Sequence, residues 1–222
     1  MIKTVQKRWD FKRLRKMADD CPPGLIVDLG FVSFPNPFLQ GQVVGLDLRS
    51  GPAPPNYLAS VRASAEALPL AGRAEVVCAG ELIEHLTDPL AFLAECNQAL
   101  KPGGALILST PNPHHAEELL KNLLGLKKGL YADTHILLIS YRSMHKLLGL
   151  AGFEVRRCYG TYFKVPGLPL RVSTSFFPTI SHNFIFVARK TKSVRRADIL
   201  PRLRRKYLGY ARNGADRGGR TE

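Results

Sequence analysis

Apolar positions along the chain fall into two periodicities. Short continuous apolar runs, of the kind buried on both faces of a parallel sheet, occur at 24–29, 42–47, 75–79 and 105–109. A shorter run at 60–63 and two later ones at 153–159 and 184–188 complete the predicted strands. Helical spacing marks four other segments. The first is 7–17, with Trp9, Phe11 and Leu14 as anchors. The second carries Phe92, Leu93, Cys96 and Leu100, and the remaining two are 114–124 and 140–151, the last with Leu147, Leu148 and Leu150. Asp88 is a good N-cap ahead of Pro89 at the first helical position. Pro102, Gly103 and Gly104 stop that helix, and Gly152 ends the one before it.

Strands alternating with helices predict an α/β fold in which a largely parallel, doubly wound sheet is covered on both faces. There is no internal repeat. The Pro-rich stretch 51–56, GPAPPN, cannot be a strand interior. The segment 163–180, FKVPGLPLRVSTSFFPTI, is apolar, punctuated by prolines and too long for a simple hairpin loop. It reads either as a substrate lid or as an apolar flap completing the core.

Charge changes the picture at the two ends. The 222 residues carry a net charge of +14, but 17–188 is nearly neutral at −1. Residues 1–16 hold +6 and residues 189–222 hold +9. The expected organisation is a basic N-terminal helix over 1–20, one domain over 21–190 and a basic tail over 191–222. In the tail, Leu200, Leu203, Tyr207 and Tyr210 recur at helical spacing, with Arg202, Arg204, Arg205 and Lys206 largely off that stripe. This basic amphipathic pattern suits peripheral contact with an anionic membrane, or else a solvated tail or a helix packed on the domain. The N-terminus lacks the apolar core of a signal peptide, and no run is long enough to span a bilayer. Cys21, Cys78, Cys96 and Cys158 are scattered without a CxxC pair, as in a cytoplasmic protein with reduced thiols.

The stretch 79–113, AGELIEHLTDPLAFLAECNQALKPGGALILSTPNP, is the most specific on the chain. Its loop, short helix, capped helix, Lys-Pro-Gly-Gly turn and buried strand closely resemble the class I S-adenosylmethionine-dependent methyltransferases, in the group related to the ubiquinone-biosynthesis O-methyltransferases. The resemblance covers about 25–190. It implies a Rossmann-like, doubly wound, seven-stranded, mostly parallel sheet whose last strand is antiparallel, and S-adenosylmethionine as cofactor.

It also implies roles for individual residues. Ligands in such sheets bind beyond the carboxyl ends of the strands. The loop after the first strand, usually Asp-x-Gly-x-Gly-x-Gly, here reads Asp28-Leu29-Gly30-Phe31-Val32-Ser33-Phe34. Asp28 and Gly30 match, whereas Val32 and Phe34 stand where glycines are usual, and so reshape or obstruct the pocket. Asp47 ends the second strand and can accept hydrogen bonds from ribose hydroxyls. Ser64-Ala65-Glu66-Ala67-Leu68-Pro69 matches a segment beside adenine, with Ser64 replacing the usual Asp and the Ala65 N–H facing a ring nitrogen.

Glu81, Glu84 and His85 fall on one helical face. Glu81 borders the cofactor, and Glu84 and His85 are the catalytic candidates, His85 as base to an attacking hydroxyl. The same trio can instead hold a divalent metal, with His135 or His145 as fourth ligand, or simply complement a helix dipole. His114, His115 and His135 are further candidates for an acceptor pocket. The leading function is methyl transfer to oxygen of a small molecule or of a glycan or lipid intermediate, with no specific nucleic acid expected. An RNA or protein methyltransferase docking through the basic ends, and a non-catalytic protein of this fold, stay open. A dehydrogenase is disfavoured because the first turn lacks Gly-x-Gly-x-x-Gly.

Overall fold

In the computed structural model, which describes residues 2–125, 135–164, 170–199 and 201, the apolar runs become a seven-stranded sheet. Its strands are β1 (Leu25–Leu29), β2 (Gln42–Asp47), β3 (Ala59–Arg62), β4 (Ala74–Gly80), β5 (Leu100–Pro111), β6 (Phe153–Gly160) and β9 (Asn183–Lys190). The order is β3-β2-β1-β4-β5-β9-β6. Pairings from β3 to β5 are parallel, and β9 runs antiparallel to both β5 and β6. The resemblance implied this Rossmann-like arrangement, with the last strand reversed. A separate hairpin, β7 (Tyr162–Lys164) with β8 (Arg171–Ser173), lies within the apolar segment before β9.

The strands alternate their side chains between two cores. Val27, Leu29, Val77, Ala79, Leu106 and Leu108 face helices α2 (Pro89–Ala99) and α4 (Tyr141–Leu150), where Phe92, Leu93, Met144 and Leu148 are buried. The Asp88 carboxylate caps α2 by accepting from the Ala91 N–H at 2.8 Å. Ser140 caps α4 by accepting from the Ser143 N–H at 3.2 Å. Gly152 follows α4 with φ +85°, and a Cβ there would meet the Lys192 carbonyl at 2.5 Å, so both conformation and space require glycine. Cys78 and Cys96 are buried core residues, as their apolar contexts predict.

The opposite face is covered differently from the expected strand–helix alternation. The β1–β2, β2–β3 and β3–β4 connections contain no helix. Their place is taken by α1 (Ile2–Asp19) and an irregular loop, 30–41. Met17, Phe31, Leu39 and Tyr57 pack there on Ile26, Val76, Cys78 and Ile107. Asn36 ties the loop to α1, its Nδ2 donating to the Leu14 carbonyl at 3.0 Å and its Oδ1 accepting from the Phe38 N–H at 3.0 Å. Buried without such partners, these loop groups would be costly.

Two other expectations change. Packed chain extends past 190, because Val194 and Ile199 bury against Ala94 of α2. The amphipathic stripe from Leu200 to Tyr210 lies outside the described residues. In the 163–180 segment, Phe176 is 93% exposed and Phe177 66%, so the described part does not simply complete the core. Helix α3 (Ala116–Leu123) follows β5. Among the described residues no helix is long and apolar enough to cross a membrane.

Candidate active site

Parallel β1, β2 and β4 end at one edge of the sheet, and the loops leaving them enclose a cleft of about 490 Å³. That volume is in the ordinary range for cofactor sites. Gly30, Asp47, Ser64 and Ala65 line one part of it, and Glu81 and His85 another. Six of the eight residues predicted for the site therefore meet in one cavity.

The first half is fixed by backbone groups. The Asp47 side chain, 8% exposed, accepts the Val32 N–H on Oδ2 at 3.1 Å and the Arg49 N–H on Oδ1 at 2.9 Å. Two such bonds hold the carboxylate at the cleft wall and leave lone pairs for other donors. Gly30, at φ +77°, turns the chain away from β1 while its N–H donates to the Leu46 carbonyl at 2.8 Å. Of the two unusual residues in this loop, Val32 packs with the α1-side core, and Phe34 lines the cleft beside Phe11, with ring centroids 6.3 Å apart. The cleft persists with both side chains present. Ser64 Oγ accepts the Glu66 N–H at 3.2 Å, while Glu66 Oε1 accepts the Asp88 N–H at 2.9 Å, joining this wall to the α2 cap.

Asp28 is not in the cleft wall. Its side chain points to the α1-side core and accepts a hydrogen bond from the Tyr57 hydroxyl, which itself accepts the Asn36 N–H at 3.0 Å. Burial pushes the Asp28 carboxyl up to about 6, against the lowering effect of those hydrogen bonds. Its observed place is structural: it anchors loop 30–41 beneath the site.

The second half draws on four separate parts of the chain. Glu81 has φ +52°, the only positive value among described non-glycine residues. Such a conformation is uncommon outside glycine and is held here by its surroundings. Its N–H donates to the Ser109 carbonyl at 3.0 Å, and its Oε2 accepts from Asn183 Nδ2 of β9 at 2.9 Å. Its Oε1 lies 3.8 Å from Arg13 Nη1, which also donates to Ser109 Oγ at 2.7 Å. Arg13 and Asp10 of α1 both line the cleft. Burial is the main cause raising the Asp10 carboxyl, with Arg13 opposing and Glu81 reinforcing. Neither α1 residue was among the expected site residues. The available signal was spacing, since Arg13 lies four residues after Trp9 and four before Met17.

Glu84 and His85 sit in a short 3₁₀ helix, Ile83–His85. His85 reaches the cleft, whereas Glu84 is 1% exposed and is not part of its wall. Glu84 Oε2 accepts from Thr110 Oγ1 at 3.2 Å, and Oε1 has no hydrogen-bond partner among the described residues. Burial, reinforced by Glu81, raises this carboxyl well above the usual carboxylate range. His135 lies against His85, with ring centroids 4.7 Å apart, and burial lowers its affinity for a proton. One ligand atom from each of Glu84, His85 and His135 falls within 4.8 Å of the others, a set able to hold a metal ion. Glu81 is not in that set, and His145 packs instead on Tyr141 and Phe186. The expected ligand trio thus changes one member. His115 is buried and stacks on His182, while His114 is exposed.

A doubly wound sheet with a reversed last strand and a cleft at the ends of β1, β2 and β4 is the arrangement that the resemblance to the S-adenosylmethionine-dependent methyltransferases implied. Residues 33–157 match the model of the methyltransferase domain family, and the chain belongs to that family. It is 37% identical over 112 residues to the ubiquinone biosynthesis O-methyltransferase of Cereibacter sphaeroides, covering 46% of this chain and 43% of that protein. A protein of the same name from Marinobacter nauticus is 30% identical over 129 residues, covering 55% and 51%. The chain spans about half the length, or less, of these curated relatives. Among solved structures, a methyltransferase from Thermotoga maritima, described as a "possible histamine N-methyltransferase", matches with a TM-score of 0.62 at 18% identity. That match covers 86% of this chain and 96% of the other. The [4+2]-cyclase SpnF matches at TM-score 0.55 and 14% identity, over 81% and 79%. Likeness at this level establishes the fold alone, which these two differently acting proteins share.

Proposed function

We propose that the protein transfers a methyl group from S-adenosylmethionine to an oxygen of a small molecule or of a glycan or lipid intermediate. The observation carrying this reading is the single cleft that joins Asp47, Ser64 and Ala65 to Glu81 and His85. The donor set fits the cofactor: a carboxylate with spare lone pairs for ribose hydroxyls, a hydroxyl and an N–H for adenine, and Arg13 as counter-charge for a carboxylate. When bound, S-adenosylmethionine supplies a methyl group on a positively charged sulfur, open to direct displacement. The chain's work is then alignment and exclusion of water, to which Leu82, Leu86 and Phe34 contribute apolar walls. His85, in the cleft wall, would take up the proton that the acceptor hydroxyl gives up when it is methylated. Calorimetric titration of the cofactor, followed by methyl-transfer assays with His85→Ala, tests the reading.

A second reading follows from the convergence of Glu84, His85 and His135. These residues would hold a divalent cation that polarises the acceptor oxygen, with His85 a ligand rather than the base. Chelator sensitivity restored by added cation, together with its loss in His135→Ala, distinguishes this from direct base catalysis.

A further inference from the structure

We propose that a second, smaller pocket between α1 and the β7–β8 hairpin binds a phosphate group carried by the methyl acceptor; the acceptor assignment rests on the methyl-transfer reading, the anion site does not.

The pocket has a volume of about 130 Å³. On one side α1 contributes Trp9, Lys12, Arg13 and Lys16, whose spacing of three and four places them on one helix face. The facing side presents the hydroxyl-bearing residues Thr161, Ser173 and Ser175. No carboxylate lines it among the described residues. The Lys12 ammonium lies 4.2 Å from the Trp9 ring centroid and the Lys16 ammonium 4.4 Å from that of Tyr159. Aromatic faces thus hold both charges in place without consuming their N–H donors. The acids nearest Lys16 in charge terms are Asp20 and Asp19, and Asp20 is engaged by Arg157 at 2.8 Å. Burial lowers the Lys16 proton affinity, the sign of a partly desolvated ammonium whose charge is incompletely offset.

The Thr161 hydroxyl is engaged by Asn183, donating to its Oδ1 and accepting its N–H, both at 3.3 Å. The two ammonium groups and the Ser173 and Ser175 hydroxyls, themselves 3.4 Å apart, are therefore the groups that match a ligand with several acceptor oxygens and up to two negative charges. A phosphate monoester or diester has that chemistry, whereas a carboxylate offers only two oxygens. Arg13 lies in the wall of both this pocket and the large cleft. A phosphate held here would sit beside the residue whose guanidinium also reaches Glu81, and an acceptor extending along it would enter the cleft.

Trp9 is the only tryptophan in the chain and lines the pocket, so its fluorescence reports occupancy directly. Inorganic phosphate titrated into the full chain without cofactor, at constant ionic strength, should give a saturable change that chloride does not reproduce. Lys12→Gln with Lys16→Gln should weaken the response about tenfold or more, and the two Lys→Arg replacements should retain it. Glycerol 3-phosphate and phosphatidylglycerol vesicles, set against phosphatidylcholine vesicles, distinguish a soluble phosphorylated acceptor from a lipid headgroup. A response that never saturates, follows chloride equally, or survives the double Lys→Gln change overturns the proposal. Cofactor binding measured separately keeps the two readings apart, since a chain that binds S-adenosylmethionine but ignores phosphate contradicts only this one.

Discussion

The two halves of the cleft are built on different principles. The half holding Asp47 and Ser64 is local: strand ends and the next few residues supply it, and backbone N–H groups fix its geometry. The half holding Glu81 and His85 is assembled from α1, the turn after β4, β5 and β9, through Arg13, Ser109 and Asn183. The first arrangement suits recognition of a constant group by fixed hydrogen bonds. The second, with three carboxyls, an arginine and two histidines close together, is where protonation and charge are adjustable.

If that division holds, substitutions should separate affinity from turnover. His85→Ala should lower kcat by about 10²- to 10⁴-fold, the usual range for a general base, while the dissociation constant for S-adenosylmethionine stays within about twofold. Stopped methyl-transfer assays and calorimetry on the same preparation check both parts, and an equal loss in both would erase the distinction.

Asp28 sharpens the comparison from beneath the site. Its folded-state carboxyl titrates at about 6, above its usual 3.8, because burial disfavours the charge. An acid raised in this way costs nothing below pH 3.8, and its penalty grows as pH rises from about 4 to 6. By linkage the full penalty is about 3 kcal/mol. Asp28→Asn should therefore flatten the fall in stability across that window, as read from urea unfolding at several pH values, and leave cofactor affinity unchanged. A large affinity loss with no change in the pH profile would return Asp28 to the binding machinery.

Asp47→Ala should act in the opposite sense, weakening cofactor binding by about 1–3 kcal/mol with a smaller effect on kcat at saturation. The smallest effect is expected from the tail. Truncation after Pro201, which keeps the packed Val194 and Ile199, should reduce co-sedimentation with anionic liposomes in a salt-dependent way, without altering turnover on a soluble acceptor. Identical sedimentation of both forms would remove the membrane role.

The same local–assembled division explains what could be read from the residues alone. Strands β1, β2 and β4, helix α2 with its Asp88 cap, and α4 with Ser140 all follow short-range signals and were predicted within a few residues. Gly30, Asp47, Ser64, Ala65, Glu81 and His85, which the family resemblance implied from short motifs beside strand ends, do line the cleft. Asp28 did not, because its alternation toward α1 depends on which core each face meets. Arg13 reads as one charge among seven in a basic segment, and only the docking of α1 makes it a buried cation beside Glu81. His135 is some fifty residues from His85 in sequence, so its approach depends on the backbone returning there, where the Ile136 N–H donates to the Glu84 carbonyl at 2.9 Å.

On the proposed reading this cleft binds S-adenosylmethionine although Val32 and Phe34 stand where glycines are usual. Isothermal titration of S-adenosylmethionine and S-adenosylhomocysteine into the full chain tests it most directly. Saturable one-to-one binding is expected, weakened in Asp47→Ala and persisting in His85→Ala. No detectable heat at millimolar ligand, with the protein folded by circular dichroism, would contradict it and favour a non-catalytic member of the fold.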